Sequence, residues 1–170
     1  MHVDEVRDLL GDECPAGAMF DVADGRYRYR LWRTWDRSRF PAVFCCLNPS
    51  TATAFEDDPT VRRLVGFAKA WDRGGIVLVN LYALRATDPA ELAKAEDPVG
   101  SSNDQAIRDI DAVEVVAAWG SHPMAAKRAA AVAALIKAPL VCLGTNKDGM
   151  PRHPLYLPYT AARVPWTPPG

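Results

Sequence analysis

Two asparagines and one histidine occupy the positions where this chain could do chemistry. Asn48 and Asn80 each follow an apolar run, and His153 lies in a proline-punctuated loop after the last such run. Apolar runs of this length predict buried strands of a parallel sheet. Ligands of such sheets bind at the carboxyl ends of the strands. An asparagine there can also simply begin a turn, so each residue alone has two interpretations, and the ordered set of three favours a shared site.

Each of these side chains suits a particular chemical role. The amide oxygen of Asn48, which precedes Pro49 and Ser50 in a polar loop, can orient a water molecule. Asn80 offers one acceptor and two donors, which match the carbonyl and ring N–H edge of a uracil-like base. His153 can stabilise a departing anion or shuttle a proton. A serine-hydrolase elbow, Gly-x-Ser-x-Gly, does not occur in the chain.

Alternating arginines mark a predicted strand near the start of the chain. Arg26, Arg28 and Arg30 fall on one face of it, and the aromatic residues between them fall on the other. Arginines interleaved with aromatics can contact phosphates and bases. The same pattern is typical of an edge strand with a solvated basic face. Both interpretations remain open.

Two weaker signals lie near the same predicted edge. Trp119 and Gly120 precede a helix and could form an anion-binding cluster of amides, although no second glycine follows at phosphate-loop spacing. A plain structural turn is the alternative. The acidic residues 56–58 could position water or a cation, and Asp58 is expected to cap the helix that begins at Pro59.

The composition is that of a soluble globular domain. Of the 170 residues, 49% are hydrophobic and 24% charged, and the formal net charge is -1. We expect a single domain over residues 1–170. The near-zero charge provides no global attraction to nucleic acid, so such contact would need a local patch. The sequence indicates neither a membrane-spanning run nor a signal pattern, so we expect no membrane partner.

The cysteines indicate a reducing compartment. Cys14, Cys45, Cys46 and Cys142 form no C-x-x-C pair. We therefore expect buried free thiols in a cytoplasmic protein, and neither a metal nor an organic cofactor. The oligomeric state is not predicted.

Strands and helices are predicted to alternate along the chain. A hairpin is expected from residues 18–22 and 26–35, and further strands at 40–47, 76–80, 113–119 and 139–143. Helices are expected at 1–12, from Pro59, and at 90–95, 101–111 and 124–137. This order predicts a three-layer α/β/α fold with a central, mostly parallel sheet and an N-terminal antiparallel hairpin at its edge.

Nearly the whole chain, from about Arg28 to Tyr156, resembles the bacterial and phage domain-of-unknown-function family 1643. The matching stretches are residues 47–52, 58–60, 80–81, 85–89, 119–120 and 152–156. The family has no established activity, so this resemblance implies membership and nothing about chemistry.

The order of motifs is also similar, more distantly, to the uracil-DNA glycosylase superfamily. There, one strand ends in a water-activating Asp or Asn followed by Pro, and a second ends in an Asn that reads the base. A third ends near Trp-Gly, and a His-Pro-Ser loop supplies a histidine that stabilises the leaving base. The corresponding positions here are Asn48-Pro49, Asn80, Trp119-Gly120 and His153-Pro154. Leu155 replaces the serine, and Phe55 is the nearest candidate for the base-stacking aromatic.

This second resemblance implies a uracil-DNA-glycosylase-like hydrolase of N-glycosidic bonds, acting on a nucleobase in DNA or in a free nucleotide or nucleoside. Asn48 and His153 would be catalytic. The expected substrate contacts are Asn80, Pro49, Ser50, Phe55, Trp119 and Gly120, and the expected nucleic-acid contacts are Arg26, Arg28, Arg30 and Arg152. Two alternatives remain: a non-catalytic nucleic-acid or nucleotide-binding module, and a different reaction on modified bases.

Overall fold

The computed structural model describes residues 15–170, which form seven strands and four helices. The strands are β1 (Ala16–Phe20), β2 (Arg28–Thr34), β3 (Ala42–Cys46), β4 (Gly75–Asn80), β5 (Val115–Ala117), β6 (Leu140–Cys142) and β7 (Val164–Pro165). The helices are α1 (Pro59–Ala70), α2 (Ala90–Lys94), α3 (Asn103–Arg108) and α4 (Pro123–Leu135), followed by a 3₁₀ helix, Pro154–Tyr156. The helix expected in residues 1–12, and Cys14, lie outside the described residues.

All seven strands join one mixed sheet in the order β1-β2-β4-β3-β5-β6-β7. The four central strands, β4, β3, β5 and β6, are parallel. The pairs β1–β2, β2–β4 and β6–β7 are antiparallel. The α/β class and the edge hairpin are therefore confirmed, but the sheet is mixed rather than mostly parallel. The parallel strands are those joined through helices, whereas the hairpin and the C-terminal tail add strands in the opposite direction.

The strand β7 lies beyond residue 143, where the sequence pattern predicts no strand. It contains only Val164 and Pro165, too short for a period of two to be visible. Proline has no backbone N–H to donate, and it is accommodated here because β7 is the edge strand of the sheet.

Both faces of the central strands are covered by helices. Successive side chains of a strand point to opposite faces. In β3, Phe44 and Cys46 therefore pack in one apolar cluster with α1, and Val43 and Cys45 in a second cluster with α4. This two-sided burial explains why the strand reads as an unbroken apolar run. The thiols of Cys45, Cys46 and Cys142 are buried and free, as expected.

The start of α1 follows the predicted capping chemistry. Asp58 precedes the helix, and its Oδ1 accepts a hydrogen bond from Val61 N at 2.8 Å. Its Oδ2 accepts a second bond from Ala52 N at 3.3 Å. One carboxylate therefore satisfies an otherwise unpaired helix N–H and fixes the loop before the helix.

The segment of residues 48–58, which we call the 48–58 loop, is attached to β2 by two arginines. Arg33, 9% exposed, donates to the carbonyl oxygens of Thr53 and Ala54 and to Asp57 Oδ1, each at 2.9 Å. Arg28 donates through Nη1 to Ala52 O, also at 2.9 Å. Since these bonds use several donors of a planar guanidinium, lysine could not replace them all.

Replacing Arg33 with lysine should therefore loosen the 48–58 loop. We expect Arg33→Lys to lower the free energy of unfolding by about 1–3 kcal/mol, because buried carbonyl oxygens lose donors. Urea unfolding measures this, and limited proteolysis should show faster cleavage within residues 48–58. Arg37→Lys, at an exposed position, is the matched control and should change little. Equal unfolding midpoints for the two variants would contradict the attachment.

Candidate functional site

The carboxyl ends of the four parallel strands bring the predicted site segments to one edge of the sheet. Asn80 is the last residue of β4, and Asn48 follows the end of β3 by two residues. Gly120 follows β5. The loop that carries His153 returns to the same edge, because Arg152 N donates to Gly144 O, just beyond β6, at 2.9 Å.

Asn80 has a buried side chain that nothing in residues 15–170 uses. It is 1% exposed, and neither its Nδ2 nor its Oδ1 has a hydrogen-bond partner in that part of the chain. Its backbone oxygen, by contrast, accepts a bond from Asn103 Nδ2 at 3.1 Å. An unsatisfied buried polar group costs about 1–3 kcal/mol. The amide is therefore poorly suited to a purely structural role and well suited to a ligand.

The direction of the Asn80 side chain follows from strand alternation. Ile76 and Leu78 pack in the cluster on the α1 side of the sheet, so Asn80 points to that side too. Its Cα partner across the β3–β4 pair is Cys46, which belongs to the same cluster. Burial raises the pKa of the Cys46 thiol to about 12, so it is a neutral neighbour of the amide rather than a nucleophile.

Asn48 is held in a single orientation by its amide group. Its Nδ2 donates to Pro49 O and to Ala86 O, both at 2.9 Å. These two bonds use both amide hydrogens and leave Oδ1 as the acceptor available to a ligand. Ala86 N also donates to Pro49 O at 3.0 Å. The loops after β3 and β4 are thereby joined around this side chain.

His153 caps the 3₁₀ helix and keeps one ring nitrogen available. Its Nδ1 accepts a hydrogen bond from Leu155 N at 3.2 Å, so the neutral ring carries its proton on Nε2. Burial of part of the ring lowers the pKa of His153, and the negative charge of Asp58 opposes that shift. The residue nevertheless remains exposed. At neutral pH it is a neutral donor that a ligand can reach.

Contacts also connect His153 to the neighbouring elements. A Cβ atom built on Gly120 would lie 3.5 Å from His153 Cβ, which brings the Trp-Gly segment beside the histidine loop. Gly120 has φ +73°, a conformation that favours glycine. The charge of Asp58, at the start of α1, acts on both His153 and Arg28. The structure thus brings together the histidine loop, the Trp-Gly segment and the start of α1.

Arg63 holds the histidine loop against α1, and sequence reasoning missed it. Its Nε donates to Pro154 O at 3.3 Å, and its Nη2 donates to Leu157 O. Its guanidinium also lies 4.0 Å from the ring centroid of Tyr159. The partners are about ninety residues away in sequence, so no local pattern could have indicated this contact.

The other predicted substrate contacts differ in their exposure to solvent. Pro49 is buried and Ser50 half-buried beside Asn48, whereas Phe55 is 78% exposed in the 48–58 loop. Trp119 is buried and packs edge-on against Trp166, with ring centroids 5.1 Å apart. Trp119 is therefore a core residue whose ring is covered in this structure.

The four predicted nucleic-acid contacts do not all lie at the surface. Arg26 is exposed, Arg30 is half-buried and Arg28 is 2% exposed. Strict alternation does not hold, because the β1–β2 register shifts between the pairs Met19–Arg30 and Phe20–Arg28 and leaves Tyr29 as an extra residue. The predicted solvated face of three arginines is thus not formed. Arg152 is exposed beside His153, and its Nε donates to Thr145 O at 3.3 Å.

Two general features of the described chain bear on the site. Within residues 15–170, no group of three or more His, Cys, Asp or Glu side chains is placed to hold a metal ion. None of the described helices is both long and apolar enough to cross a membrane.

The family comparison covers this whole site. A family model described as protein of unknown function (DUF1643) matches residues 28–155. The chain belongs to this family. The matched region contains Asn48, Asn80 and His153 together with β2 to β6. No curated protein and no solved structure matches the chain. The first resemblance is therefore confirmed, and the link to the uracil-DNA glycosylase superfamily stays a prediction.

The lowered pKa of His153 predicts a pH dependence of stability. Since burial lowers the pKa in the folded state, the unfolded chain binds the proton first as the pH falls below about 6.5. The stabilisation is thus complete above that pH and is lost as the pH falls through the folded pKa. An NMR titration should give a His153 pKa below 6.5.

Urea unfolding at a series of pH values supplies a second measurement. His153→Asn keeps a capping acceptor and should lose less stability than the wild type on acidification. His122→Asn is the control, because His122 makes the equivalent cap to Met124 N on α4. A His153 pKa at or above the ordinary value would contradict the assigned environment.

Proposed function

We propose that the protein is a uracil-DNA-glycosylase-like hydrolase that cleaves the N-glycosidic bond of a nucleobase in DNA or in a nucleotide. The observation that carries the proposal is the buried amide of Asn80 at the end of β4, which has no hydrogen-bond partner within residues 15–170. The parallel strands with helices on both faces support it, as does the order of Asn-Pro, Asn, Trp-Gly and His-Pro along the chain. The buried free thiols suit a cytoplasmic setting.

Asn80 reads the base. One Oδ1 acceptor and two Nδ2 donors complement a ring N–H and an adjacent carbonyl oxygen, and a mismatched base would leave the amide unpaired. Because the side chain is 1% exposed, a base reaches it only when a covering segment shifts. The part of the 48–58 loop after Pro49 is the candidate, since Arg28 and Arg33 hold it by hydrogen bonds to carbonyl oxygens and Ala52 packs in the apolar cluster beside it.

Asn48 positions the attacking water. Its amide hydrogens are engaged by Pro49 O and Ala86 O, so Oδ1 can accept a hydrogen bond from water in a fixed direction. The water oxygen bonds to the sugar C1′ while the bond from C1′ to the base nitrogen breaks. The excess proton of the water passes to solvent, because an amide is not a base strong enough to retain it.

His153 stabilises the leaving base. The electron pair of the broken bond goes to the base, whose developing negative charge accepts a hydrogen bond from Nε2–H. Its Nδ1 is occupied by Leu155 N, which fixes the tautomer. A preorganised donor of this kind acts without reorganising during the reaction. Exposed Arg26 and Arg152 remain the candidates for phosphate contacts.

Three substitutions test the proposal. Asn48→Ala and His153→Ala should each lower base release by at least about 100-fold, the scale seen when a preorganised group at a reacting centre is removed. Asn80→Asp should alter which base is accepted more than the rate, since it exchanges donors for an acceptor. The assay measures free base released from oligonucleotides and nucleosides carrying uracil, hypoxanthine or oxidised pyrimidines, with Arg37→Lys as the control.

The outcomes separate the candidate functions. No release from any substrate by folded wild-type protein, combined with binding of bases or nucleotides, would favour the non-catalytic binding module. Release that survives both alanine substitutions would mean that the reaction occurs elsewhere. Conversion of a modified base into a product other than the free base would assign the third alternative, a different reaction on modified bases.

A further inference from the structure

Arg28 is a buried cation with an unused donor. It is 2% exposed, and its Nη1 donates to Ala52 O, but its Nε has no partner within residues 15–170. Burial lowers the pKa of Arg28 to about 10, with the nearby Asp58 charge acting in the opposite direction. The guanidinium is therefore still cationic at neutral pH. Burying a charge without completing its hydrogen bonds is unfavourable unless something else uses it.

The place of Arg28 in the fold connects it to Asn80. Its backbone N donates to Ala83 O, three residues beyond Asn80, at 2.9 Å. Its side chain donates to Ala52 O, Ala52 lies in the same apolar cluster as Cys46, and Cys46 is the Cα partner of Asn80 across the β3–β4 pair. Cys46 and Asn80 both face α1. The Arg28 Nε and the Asn80 amide, both without a partner in the described part of the chain, thus lie on the same face of the sheet near the end of β4.

We propose that Arg28 is a specificity-determining residue of the nucleobase site, where its unused Nε–H donates to an exocyclic oxygen of the base that Asn80 reads. This inference rests on the proposed function, because it takes Asn80 as the base-reading group. It also departs from the sequence expectation that Arg28 contacts a phosphate. Because Arg28 is 2% exposed, it is placed to meet a base that enters the protein rather than a phosphate held at the protein surface.

The chemistry of the two groups defines the class of base. Arg28 offers donors and no acceptor. A carbonyl oxygen can accept from Nε–H, but an exocyclic amino group at the same position would place donor against donor beside a buried positive charge. The site should therefore select oxo bases over their amino counterparts. The same charge also favours a base that leaves as an anion, because the negative charge spreads onto its carbonyl oxygens.

Binding of free bases tests this without requiring catalysis. Calorimetry of the wild-type chain with uracil and cytosine, and with hypoxanthine and adenine, should show tighter binding of the oxo base in at least one pair. In that pair Arg28→Met should reduce the preference by about tenfold or more, the effect of losing a hydrogen bond to a charged group. Arg28→Lys keeps the charge and should retain part of the preference. Arg37→Met is the control for a distant arginine.

Each outcome decides the question. Equal affinity of the wild type for oxo and amino bases in both pairs would overturn the inference, whether or not Arg28→Met folds. An unchanged preference in folded Arg28→Met, checked by circular dichroism, would overturn it as well. If bases bind with an Arg28-dependent preference but no bond is hydrolysed, the inference stands and hydrolysis fails. If bases are released while the Arg28 variants keep the wild-type preference, hydrolysis stands and the inference fails.

Discussion

The parallel pairing of β4, β3, β5 and β6 is the constraint on which the candidate site depends. Because these strands run in the same direction, the segments that leave them meet at one edge. The β3–β4 ladder continues past the strand ends, since Leu81 N donates to Cys46 O at 2.9 Å and Tyr82 N to Leu47 O at 3.0 Å. The segments after β3 and β4 are therefore positioned by backbone bonds. The backbone that carries side chains such as Asn48 is therefore fixed in position.

Two arginines of β2 differ in how many of their donors form hydrogen bonds within the protein. Arg33 uses Nε, Nη1 and Nη2 as donors to the 48–58 loop and its surroundings. Arg28, on the same strand and more deeply buried, leaves Nε unpaired within the described chain. The difference is not one of residue type or burial. It lies in position, since Arg28 is beside the end of β4 and Arg33 is beside its beginning, opposite Ile76.

Sequence reasoning located the features that depend on local patterns. The buried strands β3 and β4 followed from their apolar runs, the cap at Asp58 from turn chemistry, and Asn80 from its place after a strand. The burial of Arg28 could not be predicted, because it depends on the register shift of the β1–β2 pair beside Tyr29. The role of Arg63 was also inaccessible, since its partners come from the distant C-terminal segment. The hydrophobic periodicity of a single sequence reveals neither contacts between distant segments nor local irregularities of a strand.

The carboxylate of Asp58 acts electrostatically on both Arg28 and His153 without accepting the hydrogen bond that Arg28 Nε–H can donate to a ligand. Its carboxylate raises the pKa of both Arg28 and His153, against the effect of burial. Its two oxygens are held by Val61 N and Ala52 N, so it stays at the start of α1. The negative charge therefore offsets part of the cost of burying Arg28 through space, and none of the described residues accepts a hydrogen bond from its Nε–H. A direct Asp–Arg pair would have stabilised the guanidinium better, and it would also have used the donor that the proposed ligand contact requires.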